Sequence, residues 1–352
     1  MEHTPILIIG AGPYGLSLAN YLAHRGLRFI IAGRSMELWK EHTFDNMRLR
    51  SDYPTSVIKH PEDLFSFQRF CAGSGRSLDR LQGQLPVSIF REYIDWCLEQ
   101  LDYAVREEYV TDIKSNGAGF LVELESGDRY RADRVVIATG IAHHLHIPAE
   151  LQQGPRVIHS WFTRDIQRIR GQRILVVGAG QSAGESIAVL LANGNQVEWH
   201  TLSEPVYFSE PLNLPEPLFS LVVRAPALFY ALPSAPLNRL LAIFSATTIT
   251  PNFKPLLENV THHSALPNLN HFDTIIAGTG YRYDLRVLDF LTDDLKSRIR
   301  LRRHLPVISR NFESSVPGLY FLGAITEPSY GPAMKFMIGS HYTAKRLAAA
   351  LA

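Results

Sequence analysis

Two glycine-rich turns are the residues here best suited to chemistry. The first, Gly10-Ala11-Gly12-Pro13-Tyr14-Gly15, follows an apolar run at 6–9; the second, Gly178-Ala179-Gly180-Gln181-Ser182-Ala183, follows another at 174–177. In such a turn the first glycine permits the tight bend, the second lets the backbone approach a pyrophosphate, and the third small residue lets helix and strand pack closely. Ala183 in the third place of the second turn is an accepted variant. The helix that follows offers unpaired N–H groups and the positive end of its dipole, so it binds phosphate without a cationic side chain. Each turn is therefore expected to hold one dinucleotide. Gly10, Gly12, Pro13, Tyr14 and Gly15 serve one site, and Gly178, Gly180, Gln181, Ser182 and Ala183 serve the other.

A carboxylate that hydrogen-bonds a ribose normally stands about 20 residues after the first glycine, at the end of the second strand. The sequence there reads Ala32-Gly33-Arg34 in the first unit and His200-Thr201-Leu202 in the second, with no acid in either. In the second unit the missing acid removes a repulsion against a 2′-phosphate, and His200, Thr201 and Ser203 can hydrogen-bond one. NADPH is thus the expected nicotinamide cofactor, with NADH as the alternative because no arginine stands there.

The elements around the turns repeat as strand, turn, helix, strand. In the first unit an apolar strand at 6–9 leads to a helix at 16–26, with Leu16, Ala19, Leu22 and Ala23 at helical spacing, and then a strand at 27–32. In the second, strands at 173–177 and 195–202 flank a helix at 182–193. Residues 34–83 read as irregular and 86–101 as an amphipathic helix. Short strands at 103–109, 119–125 and 129–132 lead into ADRVVIATG (132–140), a buried strand that runs into Thr139-Gly140. DTIIAGTGY (273–281) repeats that theme, ending at Gly280-Tyr281. A strand at 319–322 and a helix from about 332 to the end complete the chain.

The expected fold class is α/β, with two Rossmann-like dinucleotide-binding domains, three-layer parallel sheets and a small antiparallel β insertion. Residues 1–153 with 282–352 would form one domain. Residues 154–281 would form the other, containing an apolar, proline-rich segment at about 203–270.

Lys and Arg number 35 against 34 Asp and Glu, so charge gives no case for nucleic acid. No apolar run approaches the ~20 residues of a membrane span. No charged lead and apolar stretch precede residue 6, and there are two cysteines, Cys71 and Cys97, with no CxxC pair. A reducing, cytoplasmic location is expected. His143, His144, His146 and the pair His262-His263 lack partners at metal-ligand spacing, so no metal is expected.

Two such units, each closed by a strand ending in Thr-Gly, resemble flavoproteins with two dinucleotide-binding domains. That group includes disulfide reductases and class B flavin-dependent monooxygenases. The former need a redox-active cysteine pair, which Cys71 and Cys97 do not form. Finer motifs resemble the monooxygenases, above all the ornithine and lysine N-hydroxylases. That branch has an Asp, three residues, an apolar residue and Ala-Thr-Gly-Tyr; here Asp273 leads to Ala277-Gly278-Thr279-Gly280-Tyr281, with Gly278 in place of Ala. MRLRSDYPTSVIKHPEDLFSFQRF (47–70), LPVSIFREYIDWCLEQL (85–101) and FLGAITEPSYGPAMKF (321–336) resemble that branch's flavin-flanking loop, following helix and ring-covering turn. The class B motif FxGxxxH is imperfect, its nearest match running from Leu151 through Gly154 to His159.

The resemblance implies FAD in the first unit and NAD(P)H in the second. Hydride would pass to FAD, oxygen would add at C4a to give a (hydro)peroxyflavin, and one oxygen atom would enter a small organic substrate. Implied cofactor contacts besides the two turns are Gly33, Arg34, Trp39, Met47, Thr139, Gly140, Gly280, Tyr281, Gly323, Gly331, Pro332 and Ala333; Arg34 either stacks on adenine or lies in solvent. Arg48 and Arg50 are catalytic candidates beside flavin or substrate, or else a surface pair. The partners implied are the substrate and O2. The apolar residues of 205–245 admit three readings: a substrate-channel cover, a homo-oligomer interface, or a peripheral membrane contact. A cover would favour an apolar or aromatic substrate over a free amino acid. An oxidoreductase or oxidase without oxygen insertion, and a flavin-based redox sensor, are the alternatives in function.

Overall fold

The computed structural model describes residues 1–78, 84–117, 119–201, 206–210, 216–232 and 248–352, without the side chains of 216–222 and 224. The first sheet is built on β1 (Glu2–Ile9). Ile6, Leu7, Ile8 and Ile9 are all buried, as a parallel strand covered on both faces requires. β2 (Ile30–Ala32) and β6 (Arg129–Ile137) flank it in parallel, bringing Ala32 and Ile137 beside Ile9. β3 (Val105–Arg106) extends the sheet beyond β2.

Besides β1, the strand β6 has two further partners. Its first residues pair antiparallel with β5 (Gly119–Leu124), which pairs with β4 (Val110–Asn116); its last pair in parallel with β16 (Leu319–Phe321). The sequence reading splits β6 at Ala132 and finds no strand at 110–116. The register shift between Val110 and Asp112 breaks the period-two pattern there, as a bulge does.

α1 (Pro13–His24) starts at an extended Gly12 with Pro13 at its first position, and Gly26 (φ 66°) turns the chain away from its end. It packs on the C-terminal helix Gly339–Leu351, with the Ser17 and Ser340 hydroxyls 3.3 Å apart. That helix begins later than the sequence suggests. Pro332–Lys335 is a 3-10 turn, and the extended backbone of Phe336 separates it from the α-helix. The stretch read as irregular holds α2 (Glu37–Glu41) and α3 (Phe67–Ser74), and α3 packs on α4 (Val87–Leu98) through a Phe67–Tyr93 stack at 4.2 Å.

The second sheet is parallel throughout, in the order β12 (Thr261–His263), β9 (Gln196–His200), β8 (Arg173–Val177), β13 (Thr274–Ala277), β7 (Arg156–His159). α5 (Thr163–Ile166) and α6 (Gln181–Ala192) pack beside it. Two small pairs lie apart: β10 (Tyr207–Phe208) with β11 (Thr248–Ile249), and β14 (Leu301–Arg302) with β15 (Leu305–Pro306).

α7 (Glu216–Ala231), which falls between β10 and β11 in sequence, rests on the turn Glu327–Tyr330 and the C-terminal helix. The ring of Tyr230 lies 4.9 Å from that of Tyr330, which stacks on Phe312 at 4.4 Å. Among the described residues no helix is long and apolar enough to cross a membrane.

Candidate functional site

A cavity of about 280 Å³ opens at the C-terminal ends of β1, β2 and β6. Of the residues singled out from the sequence, Gly10, Gly12, Pro13, Tyr14, Gly33, Arg34, Trp39, Thr139, Gly140 and Gly323 line it. Gly10 has φ 105°, and a methyl there would stand 2.4 Å from the carbonyl oxygen of Ala138. A Cβ on Gly15 would come within 1.8 Å of Gly10 O, so Gly15 is what lets α1 close on the turn. At Gly12 the same construction meets nothing within 4 Å, which leaves the surface above the turn open. No side chain caps α1 and no acid stands in its first turn, so its amide groups are free to receive an anion.

Tyr14 has a structural duty as well. Its hydroxyl donates to the carbonyls of Met334 (2.9 Å) and Phe336 (3.0 Å), tying the C-terminal turn to α1. Burial raises its phenol well above the usual range, so it stays a donor. Met334 to Met337 line the cavity, whereas Gly331, Pro332 and Ala333 do not. Gly331 (φ 86°) instead faces α7: a Cβ there would meet the Phe229 ring at 2.5 Å. Arg34 lies over the Tyr109 ring at 4.5 Å. Met47 packs with the core of the second sheet and is absent from the cavity wall.

The second turn is built alike. Gly178 has φ 144°, and a methyl on it would stand 2.1 Å from Gly278 O. Gly180 is the extended N-cap of α6, again without a side-chain cap or an acid in the first turn. Gln181 is held on both ends of its amide, donating to Glu185 Oε1 (2.8 Å) and accepting from Thr250 N (2.9 Å); Ser182 is exposed beside it. Gly278, the departure from the N-hydroxylase pattern, has a local cause. A Cβ there would meet the Ala183 methyl at 2.9 Å, so the alanine in the third place of the turn demands glycine opposite it.

At the end of β9, His200 and Thr201 are both buried. Residues 202–205, including Ser203, lie outside the described residues. His200 Nδ1 lies 2.9 Å from the His263 carbonyl, and Thr201 Oγ1 lies 3.1 Å from His262 Nε2. Register on β12 brings these two histidines to the site, a long-range pairing that no local pattern displays.

Aromatic and imidazole groups cluster beside the first cavity. Trp161 lines the first cavity and stacks on His42 at 4.0 Å, and the His42 Nδ1 lies 3.0 Å from the Trp161 carbonyl. His159 Nε2 meets the carbonyl of Gly280 at 3.0 Å, and its ring lies 5.5 Å from Tyr281. Burial lowers His159, keeping it neutral, and raises the Tyr281 phenol to about 12. Trp161 and His42 are not among the residues singled out from the sequence, since neither belongs to a spaced motif.

The sequence profile of the pyridine nucleotide-disulphide oxidoreductases matches residues 7–323. The chain belongs to this family. It is similar to the indole-3-pyruvate monooxygenase YUCCA8 of Oryza sativa subsp. indica, with 27% identity over 213 residues, 53% of this chain and 45% of the relative. The chain thus spans about half the length of the curated relatives it matches. In fold it is similar to the ornithine N-hydroxylase KtzI of Kutzneria sp. 744, solved with reduced FAD, NADP+ and L-ornithine (TM-score 0.82, 18% identity, 99% of both chains). It is likewise similar to the L-lysine 6-monooxygenase of Pseudomonas syringae (TM-score 0.74, 20% identity, 99% of both chains).

The chain places no thiol at the cavity. Cys71 and Cys97 are buried in α3 and α4, and burial raises both thiols. The arginine pair also separates. Arg48 donates to the Gln84 carbonyl (2.6 Å), while half-buried Arg50 reaches across to β11, donating to Thr248 O (2.8 Å) and Oγ1 (2.7 Å). Neither lines the cavity. Glu185, close enough to Arg50 to feel its charge, is raised to about 7 by burial, against the opposing pull of Gln181 and Arg50. Among the described residues no group of three His, Cys, Asp or Glu could hold a metal ion.

Proposed function

We propose that this chain is an FAD-dependent, NAD(P)H-driven monooxygenase acting on a small apolar or aromatic molecule and O2. Residues 1–153 and 282–352 hold FAD, and 154–281 hold the nicotinamide dinucleotide, NADPH in preference to NADH. The observation that carries this reading is the pair of uncapped glycine turns, each following a strand paired in parallel, with no thiol at the first cavity.

The residues present fit the flavin: Gly12 leaves room above the turn, and the free amides of α1 await a pyrophosphate. Bound FAD supplies the redox and oxygen chemistry. The chain's own residues bind, orient and exclude water. α1 and α6 hold phosphates at their N-termini, and Tyr14 fixes the turn whose residues 334–337 form the cavity wall. Trp161, backed by His42 and edge-on to Tyr281, closes one side of the cavity to water, and the neutral Tyr281 phenol keeps its proton at working pH.

α7 supports the cover reading of the apolar segment. It packs on the Glu327–Tyr330 turn, and among its described side chains none is charged. If α7 covers the substrate channel, an aromatic ligand is favoured over the diamino acids of the N-hydroxylases.

The test uses FAD-loaded protein, NADPH or NADH, and 18O2, with aromatic, apolar and amine candidates. An aromatic compound should raise NADPH consumption and emerge with one labelled oxygen atom. If all the reducing equivalents return as hydrogen peroxide with every candidate, the chain is an oxidase and the insertion reading fails.

A further inference from the structure

The first unit lacks an acid at Gly33-Arg34, yet an adenosine ribose next to the glycine turn needs an acceptor for its two hydroxyls. One carboxylate reaches the cavity nearby. Met36 adopts a left-handed conformation (φ 54°), and its N–H donates to Ala11 O (3.0 Å) inside the glycine turn itself. This knob docks the start of α2 on the turn, so Glu37 lines the cavity with Gly10, Gly12 and Gly33.

The Glu37 carboxylate is held by one oxygen only. Oε1 accepts from the Tyr109 hydroxyl and lies 3.6 Å from His42 Nε2. Both of these contacts fall on Oε1, and among the described residues none bonds to Oε2, which is not fully buried. Burial alone would raise the group, but His42, Tyr109 and Arg34 outweigh it and hold the acid below its ordinary value. It is an ionised, preset acceptor at neutral pH. Gly33 (φ 142°) brings the end of β2 against the same turn, since a Cβ there would strike Ala11 N at 2.8 Å. The backbone where the acid normally stands is thus committed to close packing.

We propose that Glu37 is the ribose-binding acid of the first site, accepting from the adenosine hydroxyls of FAD through Oε2 in place of the residue missing at the end of β2. This rests on the reading of the first cavity as the FAD site.

The test measures the affinity of flavin-stripped protein for FAD, for FMN, which lacks the adenosine, and for FAD with a 2′-deoxyadenosine ribose. A hydrogen bond to a charged acceptor supports about a tenfold to hundredfold loss of FAD affinity in Glu37→Ala. FMN affinity should be unchanged, and apo-protein unfolding serves as the folding control. The wild type, which needs no substitution to survive, should bind the deoxy analogue about tenfold more weakly than FAD, and Glu37→Ala should bind the two alike. Equal FAD affinity in Glu37→Ala and wild type, equal losses for FAD and FMN, or a wild type indifferent to the deoxy analogue each overturns the assignment while leaving the FAD site standing. A wild type that binds no FAD overturns the reading of the cavity together with the assignment.

Discussion

Gly278→Ala probes how the second glycine turn is packed. The new methyl would lie 2.9 Å from the Ala183 Cβ, 3.1 Å from its Cα and 3.2 Å from Val177 O. Carbon atoms rest at about 3.5–4.0 Å, so α6 must retreat by roughly half an ångström or more. Forcing one methyl into a filled core costs about 1–3 kcal/mol. At the central value, thermal unfolding should fall by about 4–8 °C in a domain of this size.

Ala183→Gly removes the obstructing methyl at a cost of about 0.5–1 kcal/mol for glycine in a helix. The first unit already uses the reverse arrangement, with Gly15 in the turn and Ala138 at the strand end. The double variant should therefore be no less stable than Ala183→Gly alone, a coupling of about 1–2 kcal/mol in a double-mutant cycle. Urea unfolding of the four proteins measures it. Additive losses within about 0.5 kcal/mol would show that the two positions do not share the space, and the packing explanation of Gly278 would be refuted.

Gly12→Val should leave the apo-protein's unfolding midpoint within about 3 °C, because the new side chain enters open space, yet flavin bound per chain should drop sharply; retention of flavin would exclude pyrophosphate from that turn. Glu185, raised from 4.5 to about 7 in the folded protein, keeps a proton there that the unfolded chain releases. Stability should fall by about 3 kcal/mol as pH rises across that interval, and Glu185→Gln should flatten the curve in urea titrations at pH 5 and 8. Both cysteines should resist a thiol-reactive dye until the protein unfolds, since fully buried thiols above their usual range react slowly; rapid labelling of the native protein would contradict their burial.

The fold class is legible in the sequence because glycine turns are local: six residues specify the bend, the approach and the helix start. What stays hidden depends on partners far along the chain. Tyr14 reads as part of a motif, but its hydroxyl answers to carbonyls at 334 and 336, which only chain closure supplies. Arg48 and Arg50 look like a pair on one extended face. They part because Arg48 bridges Pro86 while Arg50 crosses to Thr248. Glu37 escapes notice since its position follows from a left-handed Met36, a conformation that methionine does not advertise. His262 and His263 join His200 and Thr201 only through the pairing of β12 with β9.

α7 falls in sequence between β10 and β11, yet it leans on the turn Glu327–Tyr330 near the other end of the chain, with Phe229 seated against Gly331. The absent side chain of Gly331 is what admits that ring, so two segments far apart in sequence are fitted to each other at a single glycine.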